Sequence, residues 1–382
     1  MSDHASTADL STDDLVKGVI DWISIESPSS DATAVNKMVD HIEAEFKSVG
    51  LEVERTPGED GYGDLIRGRA QGSSRANKGI LVVSHIDTVH PIGTSTSSNP
   101  IRIEGDNLYG PGTYDMKAGA YIAFYAYKQL LAAGGDPDLP VTFMYIPEEE
   151  VGSPYSRKHI AEEARRAKYV LVTEPARDGG KIVVQRKGSA RFKLSTTGRA
   201  AHSGSKHEYG RSAVLEMAKQ ICDIEALTDY DRGITFNCGL ISGGTGVNVV
   251  PQSCVMELDH RYIRKADGEE MEKHILALKA HNPDVTLEIT GGISRPPMEL
   301  TDGIMDLFNK ARAFSLEHGL DLQHTSITGG CSDGNLTAAQ GVPTLDGLGA
   351  DGHGAHQLDE HIYISSLEPR ARTWMKLLER LD

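Results

Sequence analysis

The sequence lacks a long apolar run, because none of its 382 residues falls in a stretch of 18 consecutive apolar side chains. A helix that crosses a bilayer needs about 20 such residues, so no membrane span is expected. The polar N-terminal segment MSDHASTADLSTDD also lacks the basic start and apolar centre of a secretory signal. We therefore expect a cytoplasmic protein without a membrane partner.

Basic residues are in the minority, with 39 Lys and Arg against 55 Asp and Glu and a formal net charge of −16. Binding to nucleic acid or to an anionic membrane surface depends on Lys and Arg that meet phosphates. The charge balance therefore argues against both partners. It is compatible with a small anionic substrate, since one local arginine can override the overall field.

Cysteine is scarce, and no pair has the C-x-x-C spacing of a zinc finger or a redox motif. We expect free thiols in a reducing compartment. The four cysteines are Cys222, Cys238, Cys254 and Cys331.

Strand-like apolar runs alternate with helical patterns in the outer parts of the chain. Runs at 79–89, 141–148 and 169–175 are separated by helical periodicity at 115–134 and 159–167. This alternation is typical of an α/β protein, with a mixed, mostly parallel sheet flanked by helices.

The middle of the chain follows another pattern. Between 187 and 296 the elements read β-α-β-β-α-β, the order of a ferredoxin-like α+β unit. We expect an inserted domain at 187–296 and a larger domain formed by 1–186 and 297–382.

Polar residues stand where the predicted parallel strands end, the edge of an α/β sheet at which ligands collect. In SHIDT, His85 and Asp87 share one strand face. An imidazole that binds a metal usually donates its other N–H to a carboxylate. In GPGTYDMKAG, Asp115 sits in a glycine turn where one carboxylate could bridge two cations. A simple helix N-cap is the alternative.

Three consecutive glutamates at 148–150 follow one buried strand, and Glu174 ends another. Clustered carboxylates repel one another unless they bind a cation, although a solvated acidic turn is the simpler explanation. The late segment GLGADGHGAHQLDEHI adds His353, His356 and His361, of which one or two at most are expected to be ligands. Along the chain these candidate side chains follow the order His, Asp, Glu-Glu, Glu, His. Such a set could bind two divalent cations about 3.5–4 Å apart. Nitrogen and carboxylate donors favour Zn²⁺, with Co²⁺ or Mn²⁺ as alternatives.

The motifs SHIDTV, GPGTYDMKAG, PEEEVGS, VTEP, GRAAHSG, GVNVVP and the late GAH together resemble the M20 family of metallopeptidases. The resemblance extends from about residue 13 to 381 and includes glutamate carboxypeptidases, acetylornithine deacetylase, succinyl-diaminopimelate desuccinylase and aminoacylase. It implies a zinc-peptidase catalytic domain with an inserted lid domain that forms a homodimer.

The resemblance also implies roles for individual residues. Glu149 would be the general base and Asp87 would orient His85, while Glu148 has no task and is expected to be solvated. His353 is the rival of His356 for the last metal position. The implied metal ligands are His85, Asp115, Glu150, Glu174 and His356.

Four further residues in or beside the lid match family positions. His202 would reach the partner subunit's site and stabilise the oxyanion, and Asn248 would lie near the substrate. Arg261 would bind a substrate carboxylate, and Gly330 belongs to a glycine-rich substrate loop. A helix-capping histidine and a surface ion pair are the alternatives for His202 and Arg261.

These expectations describe a di-zinc hydrolase that cleaves an amide bond of an N-acyl or N-aminoacyl amino acid, similar to a glutamate carboxypeptidase. The substrate is expected to carry a carboxylate. The alternatives are an N-acyl-amino-acid deacetylase, a di- or tripeptidase and a single-metal amidohydrolase for carbamoyl groups. A non-catalytic binding protein on the same fold is the alternative from another class.

Overall fold

The computed structural model describes residue 4 and residues 8–72 and 76–382. They divide into two compact units. The larger unit contains the described residues up to Gln185 together with Leu300–Thr328 and Ser332–Asp382, and the smaller unit contains Arg186–Glu299 and Gly329–Cys331. No described helix combines the length and the apolar character needed to span a bilayer.

The chain forms strands in both units. In chain order they are β1 (Glu52–Thr56), β2 (Leu65–Ala70), β3 (Gly79–His85), β4 (Arg102–Glu104), β5 (Asn107–Tyr109), β6 (Val141–Ile146), β7 (Ala167–Val172), β8 (Gly188–Thr197), β9 (Thr235–Gly243), β10 (Ser253–Tyr262), β11 (Thr286–Arg295), β12 (Thr344–Leu345), β13 (Gly352–His353) and β14 (His361–Tyr363).

The α-helices connect and cover these strands. In chain order they are α1 (Thr12–Ile23), α2 (Ala32–Ser48), α3 (Ala118–Ala132), α4 (Arg157–Arg166), α5 (Ala213–Glu225), α6 (Lys265–Leu276), α7 (Asp302–Leu316), α8 (Asp333–Ala338) and α9 (Leu367–Arg380).

The larger unit is built on a six-stranded sheet in the order β1-β2-β6-β3-β7-β12. Strand β3 runs parallel to β6 and β7, and β12 runs parallel to β7, whereas β1 and β2 are antiparallel additions. The predicted α/β class with a mixed, mostly parallel sheet is therefore confirmed.

Side chains of the central strands alternate between two helical layers, as the period of two requires. Leu81 and Met144 pack with Ile160 of α4 on one face. On the other face Phe143 contacts the rings of Phe46 in α2 and Phe124 in α3. Helices on both faces explain why these strands are apolar along their whole length.

Two features of the larger unit differ from the sequence-based prediction. The helix expected from 115 begins at Ala118, because Asp115 and Met116 have non-helical backbone angles inside a π-helical turn at Thr113–Lys117. A small antiparallel sheet in the order β13-β14-β5-β4 was not predicted, since its strands have only two or three residues. It pairs the segment before the Asp115 turn with the segment that carries His356.

The smaller unit has the predicted order β8-α5-β9-β10-α6-β11, arranged as an antiparallel sheet in the order β11-β8-β10-β9. One face of this sheet packs against α5 and α6 through Phe192, Leu194, Met217, Met256 and Ile275. Strand β9 forms one edge of the sheet.

Candidate metal centre

The parallel strands bring the predicted polar residues to one edge of the sheet of the larger unit. His85 is the last residue of β3, Glu149 and Glu150 follow β6, and Glu174 follows β7. Since β3 lies between β6 and β7, the carboxyl ends of the three strands meet. This is the edge at which ligands bind in α/β sheets.

The buried Asp115 connects two histidines and divides its carboxylate between them. Its Oδ1 lies 3.1 Å from His85 Nε2, and its Oδ2 lies 3.4 Å from His356 Nε2. Glu174 Oε1 is 3.8 Å from His85 Nε2, and Glu150 Oε2 is 3.0 Å from His356 Nε2. We call these groups the first triad (His85, Asp115 and Glu174) and the second triad (Asp115, Glu150 and His356).

The triads concentrate negative charge in a partly desolvated place. Hydrogen bonds with Asp115 and Glu150 raise the pKa of His356 to about 10. Burial by itself lowers the pKa of His85, but Asp115 and Asp87 raise it well above its ordinary value. Burial raises the pKa of Glu150. Such carboxylates are stabilised by positive charge. Two overlapping sets of donor atoms lie close enough together to hold a metal ion, those of His85, Asp115 and Glu150 and those of His85, Glu149 and Glu174.

Asp87 supports both the histidine and the glutamates. His85 Nδ1 lies 3.0 Å from the backbone oxygen of Asp87, whose carboxylate is slightly farther away at 3.5 Å. The carboxylate accepts the backbone N–H groups of Glu149 and Glu150 at 3.1 and 3.2 Å. It also accepts the Ser29 hydroxyl at 2.6 Å. Asp87 therefore holds the turn that carries two of the candidate residues, in addition to the ring of His85.

The expectation that Glu148 is solvated is wrong. Its side chain is fully buried and accepts the Ser156 N–H at 2.6 Å, the Ser156 hydroxyl at 2.7 Å and the Tyr155 N–H at 3.2 Å. Burial raises the pKa of Glu148 to about 7. The chain turns inward after β6, so Glu148 binds the segment before α4, while Glu149 lies beside the first triad and Glu150 belongs to the second.

Glu149 lies beside the first triad. One of its carboxylate oxygens, the ligand nitrogen of His85 and an oxygen of Glu174 all lie within 4.8 Å of one another. The side chain is half-buried. This arrangement places a carboxylate next to the candidate metal position.

Of His353, His356 and His361, the structure places His356 in the second triad. His356 has a left-handed backbone with φ of 63°, an uncommon conformation for a residue other than glycine that is enriched at functional sites. His353 is exposed on β13, and His361 packs its ring against Tyr109 with centroids 4.9 Å apart.

The smaller unit brings His202 and Asn248 together. His202 Nδ1 accepts the N–H groups of Gly204 and Ser205 at 3.2 and 3.3 Å. The adjacent Ser203 donates its N–H to the Asn248 carbonyl at 3.0 Å. Because Nδ1 is an acceptor, the ring carries its proton on Nε2, and both His202 and Asn248 are exposed.

Arg261 contacts the glycine-rich segment and also forms an ion pair. Its Nε and Nη2 donate to the Asp259 carboxylate at 2.7 and 3.1 Å, and its Nη1 lies 3.4 Å from the Gly329 carbonyl. The neighbouring Gly330 carbonyl accepts a hydrogen bond from Arg186 at 3.1 Å. The ion pair considered as an alternative for Arg261 is therefore present.

Two further cationic residues of this unit, Lys187 and Arg295, were not predicted from the sequence. Arg261 and Arg295 both pair with Ser189 of β8, from opposite sides, so the two arginines share the helix-free face of this sheet. Burial and the charge of Arg261 lower the pKa of the nearby Lys187. Cross-strand register decides this grouping, and the sequence offers only an arginine at the end of a predicted strand as a signal.

The chain is similar to known proteins along most of its length. Residues 81–380 match the family model described as peptidase family M20/M25/M40. The chain is 32% identical over 363 residues to carboxypeptidase G2 from Pseudomonas sp. (strain RS-16), covering 93% of this chain and 86% of that protein. It is 29% identical over 369 residues to succinyl-diaminopimelate desuccinylase from Polaromonas sp., covering 88% and 84%.

Solved structures share the fold. The aminopeptidase PepT from Bacillus cereus superimposes with a TM-score of 0.82 at 23% identity, covering 97% of this chain and 98% of the other. The M20 family metallo-carboxypeptidase Sso-CP2 from Sulfolobus solfataricus has a TM-score of 0.72 at 19% identity, covering 96% and 98%.

Proposed function

Because the chain belongs to peptidase family M20/M25/M40 and is a hydrolytic enzyme, we propose that it cleaves the amide bond of an N-acyl or N-aminoacyl amino acid. The observation that carries this proposal is the pair of triads that share Asp115. One carboxylate that faces two histidines is suited to bridging two cations. The similarity to carboxypeptidase G2 favours a carboxypeptidase-type reaction.

The triads fit two divalent cations by their chemistry. The first offers an imidazole nitrogen with oxygens of Asp115 and Glu174, and the second offers an imidazole nitrogen with oxygens of Asp115 and Glu150. Nitrogen and carboxylate donors without thiolate favour Zn²⁺, and Co²⁺ or Mn²⁺ could replace it. When bound, such ions polarise the substrate carbonyl and lower the pKa of a water molecule.

Glu149 is the proposed general base. It accepts a proton from the attacking water and passes that proton to the leaving amine, which needs a carboxylate beside the water. The N–H of Glu149 donates a hydrogen bond to Asp87 Oδ1 at 3.1 Å. The residue that contacts His85 therefore also holds the backbone of the proposed base. Asp87 is therefore proposed to position the base as well as the ligand.

The substrate is proposed to carry a carboxylate that the smaller unit recognises. Arg261 and Arg295 lie on the two strands that flank Ser189 on the helix-free face of its sheet, and Lys187 is close enough to Arg261 to feel its charge, in a chain of net charge −16. A guanidinium fork matches a carboxylate in geometry and charge. Asn248 and the loop around Gly330 are proposed to complete the substrate contacts.

A homodimer through the smaller unit is also part of the proposal. Leu240 and Ile241 on the edge strand β9 are 65% and 54% exposed. An exposed apolar edge strand favours pairing with another chain. In such a dimer, the Nε2–H of His202 would stabilise the oxyanion in the partner's site. A cytoplasmic location is also proposed, because the four cysteines are free thiols, as is usual in a reducing compartment.

An N-acyl-amino-acid deacylase is the second candidate, because the similarity to a desuccinylase covers 88% of this chain and that to a probable carboxypeptidase covers 80%. Both candidates require the same metal centre. They differ in which product, the acyl group or the amino acid, determines recognition.

A substrate panel tests the proposal. Zn²⁺-loaded protein is assayed with N-acyl and N-aminoacyl amino acids that vary one side at a time. Glu149→Gln should retain two ions per chain but lose about 10²–10⁴-fold in kcat, because the proton acceptor is gone. The exposed Glu104→Gln is the matched control and should keep full activity.

Selection for the C-terminal amino acid would support the carboxypeptidase, and selection for the acyl group would support the deacylase. Protein that holds two ions but cleaves no member of the panel would overturn the proposed substrate class. Full activity in Glu149→Gln would overturn the assignment of the base.

A further inference from the structure

Glu360 is a buried glutamate between β13 and β14 that the hydrolytic mechanism does not use. Glu360 is 1% exposed. Oε1 accepts the N–H groups of Tyr114 and Asp115 at 2.8 and 2.9 Å, and Oε2 accepts the N–H of Gly112 at 2.9 Å. Its backbone carbonyl accepts the Gly110 N–H at 3.3 Å. One residue therefore binds most of the turn that presents Asp115.

The turn needs an external acceptor. Asp115 and Met116 have non-helical backbone angles, so the N–H groups before them do not all join a regular helix or strand ladder. A buried N–H without an acceptor costs free energy comparable to a lost hydrogen bond. A carboxylate that accepts several backbone N–H groups satisfies them with charge-assisted bonds, and these are shorter and stronger than neutral ones.

A histidine completes the surroundings of Glu360. His90 Nε2 lies 2.8 Å from Oε2, and the residue is 6% exposed. His90 belongs to the chain that follows β3, beyond His85 and Asp87. The carboxylate thus joins the segment after β3 to the Asp115 turn.

Glu360 also stands four residues after His356 in the same loop. The loop is compact, with the Gln357 N–H donating to the Gly354 carbonyl at 2.9 Å. Any displacement of Glu360 from the Asp115 turn would therefore move the segment that carries His356. Both triads depend on this connection, because Asp115 is common to them and His356 belongs to the second.

We propose that Glu360 is a positioning residue for the metal centre, which holds the carboxylate of Asp115 and the ring of His356 at their mutual distance. This inference rests on the proposed function, since it assumes that the triads bind metal. It assigns Glu360 no contact with substrate or with the reacting atoms. Partners that orient metal ligands typically change metal affinity or activity by about 10–100-fold when they are mutated.

The decisive variant is Glu360→Gln, which keeps the side-chain shape. The glutamine amide replaces one of the two carboxylate oxygens by an NH2 group, which is a hydrogen-bond donor. This NH2 group would face either the Gly112 N–H or the N–H groups of Tyr114 and Asp115. We expect the affinity for Zn²⁺ to fall by about 10–100-fold in competition titrations of metal-free protein against a chelator. The visible absorption of Co²⁺-loaded protein should also change, because the ligand geometry relaxes.

Glu216→Gln is the matched control. Glu216 is 2% exposed and likewise accepts two backbone N–H groups, from His281 and Asn282, at 2.8 and 3.0 Å, but it belongs to the smaller unit. A general loss of stability would affect both variants. A positioning function predicts weakened metal binding in Glu360→Gln and unchanged metal binding in Glu216→Gln, whatever their unfolding temperatures.

His90→Gln provides a second test if Glu360→Gln does not fold. It removes a neighbour of Oε2 and leaves the three N–H bonds, so we expect a smaller but measurable loss of Zn²⁺ affinity. Unchanged metal affinity and Co²⁺ absorption in the folded variants would overturn the positioning inference while the proposed function stands. Wild-type protein that binds no pair of metal ions would instead overturn the proposed function.

Discussion

At the residue scale, three adjacent glutamates have three different environments. Glu148 is fully buried under the segment before α4, whereas Glu149 and Glu150 donate their N–H groups to Asp87. Glu149 lies beside the first triad, and Glu150 belongs to the second. Identical side chains are separated by the direction in which a tight turn points them. The sequence motif alone does not contain that information, which is why Glu148 was predicted to be solvated.

The buried position of Glu148 leads to a stability prediction. Glu148→Ala leaves the N–H groups of Tyr155 and Ser156 and the Ser156 hydroxyl without their acceptor, so we expect a loss of about 2–4 kcal/mol in the free energy of unfolding. Glu148→Gln retains an acceptor oxygen and should lose about 1 kcal/mol or less. Urea unfolding of both variants at pH 7 measures the difference. Equal losses would contradict the hydrogen-bonding explanation.

At the element scale, short or edge elements carry much of the proposed function. The sheet of β13, β14, β5 and β4 joins the Asp115 side of the centre to the His356 side through strands of two or three residues. Among the described strands, β9 is an edge strand, and it has exposed apolar side chains. Neither feature has the length or periodicity on which sequence-based recognition depends.

The edge strand leads to a prediction about assembly. Ile241→Lys places a charge on the exposed part of β9, and charges on edge strands oppose pairing between chains. We expect the proposed dimer to dissociate and kcat to fall, while each chain keeps its metal ions. Analytical ultracentrifugation and metal analysis measure both effects.

Tyr230→Lys is the control for this change, because Tyr230 is 83% exposed in the turn that precedes β9. A wild-type monomer, or an Ile241→Lys protein that remains dimeric, would contradict assembly through β9.

At the scale of the whole molecule, every residue of the two triads belongs to the larger unit. Metal that binds the folded state stabilises it by about 4 kcal/mol when its free concentration is a thousand times Kd. Chelation should therefore speed amide hydrogen exchange in the larger unit, most strongly at 110–117 and 354–360. The strands β8 and β10 of the smaller unit should be unaffected. Hydrogen-exchange mass spectrometry checks this, and equal changes in both units would contradict it.

Local patterns were sufficient for much of the fold. Continuous apolar runs predicted the central strands and 3.6-residue patterns predicted the main helices, within a few residues, because those elements bury apolar surface. The ordered polar motifs also identified His85, Asp115, Glu150, Glu174 and His356, which the structure brings together. The carboxyl ends of adjacent parallel strands lie at the same edge of the sheet, independently of the conformation of the loops between them.

The sequence by itself therefore determined the class of the sheet and the residue types at its functional edge. Only the tertiary structure decided which way each carboxylate turns. Glu360 meets Asp115 across 245 residues of chain, and the register of β8 places Arg295 and Arg261 on opposite sides of Ser189. Glu148 is buried because the chain folds back over it. Such contacts depend on how distant segments pack, and no local periodicity or spacing records that packing.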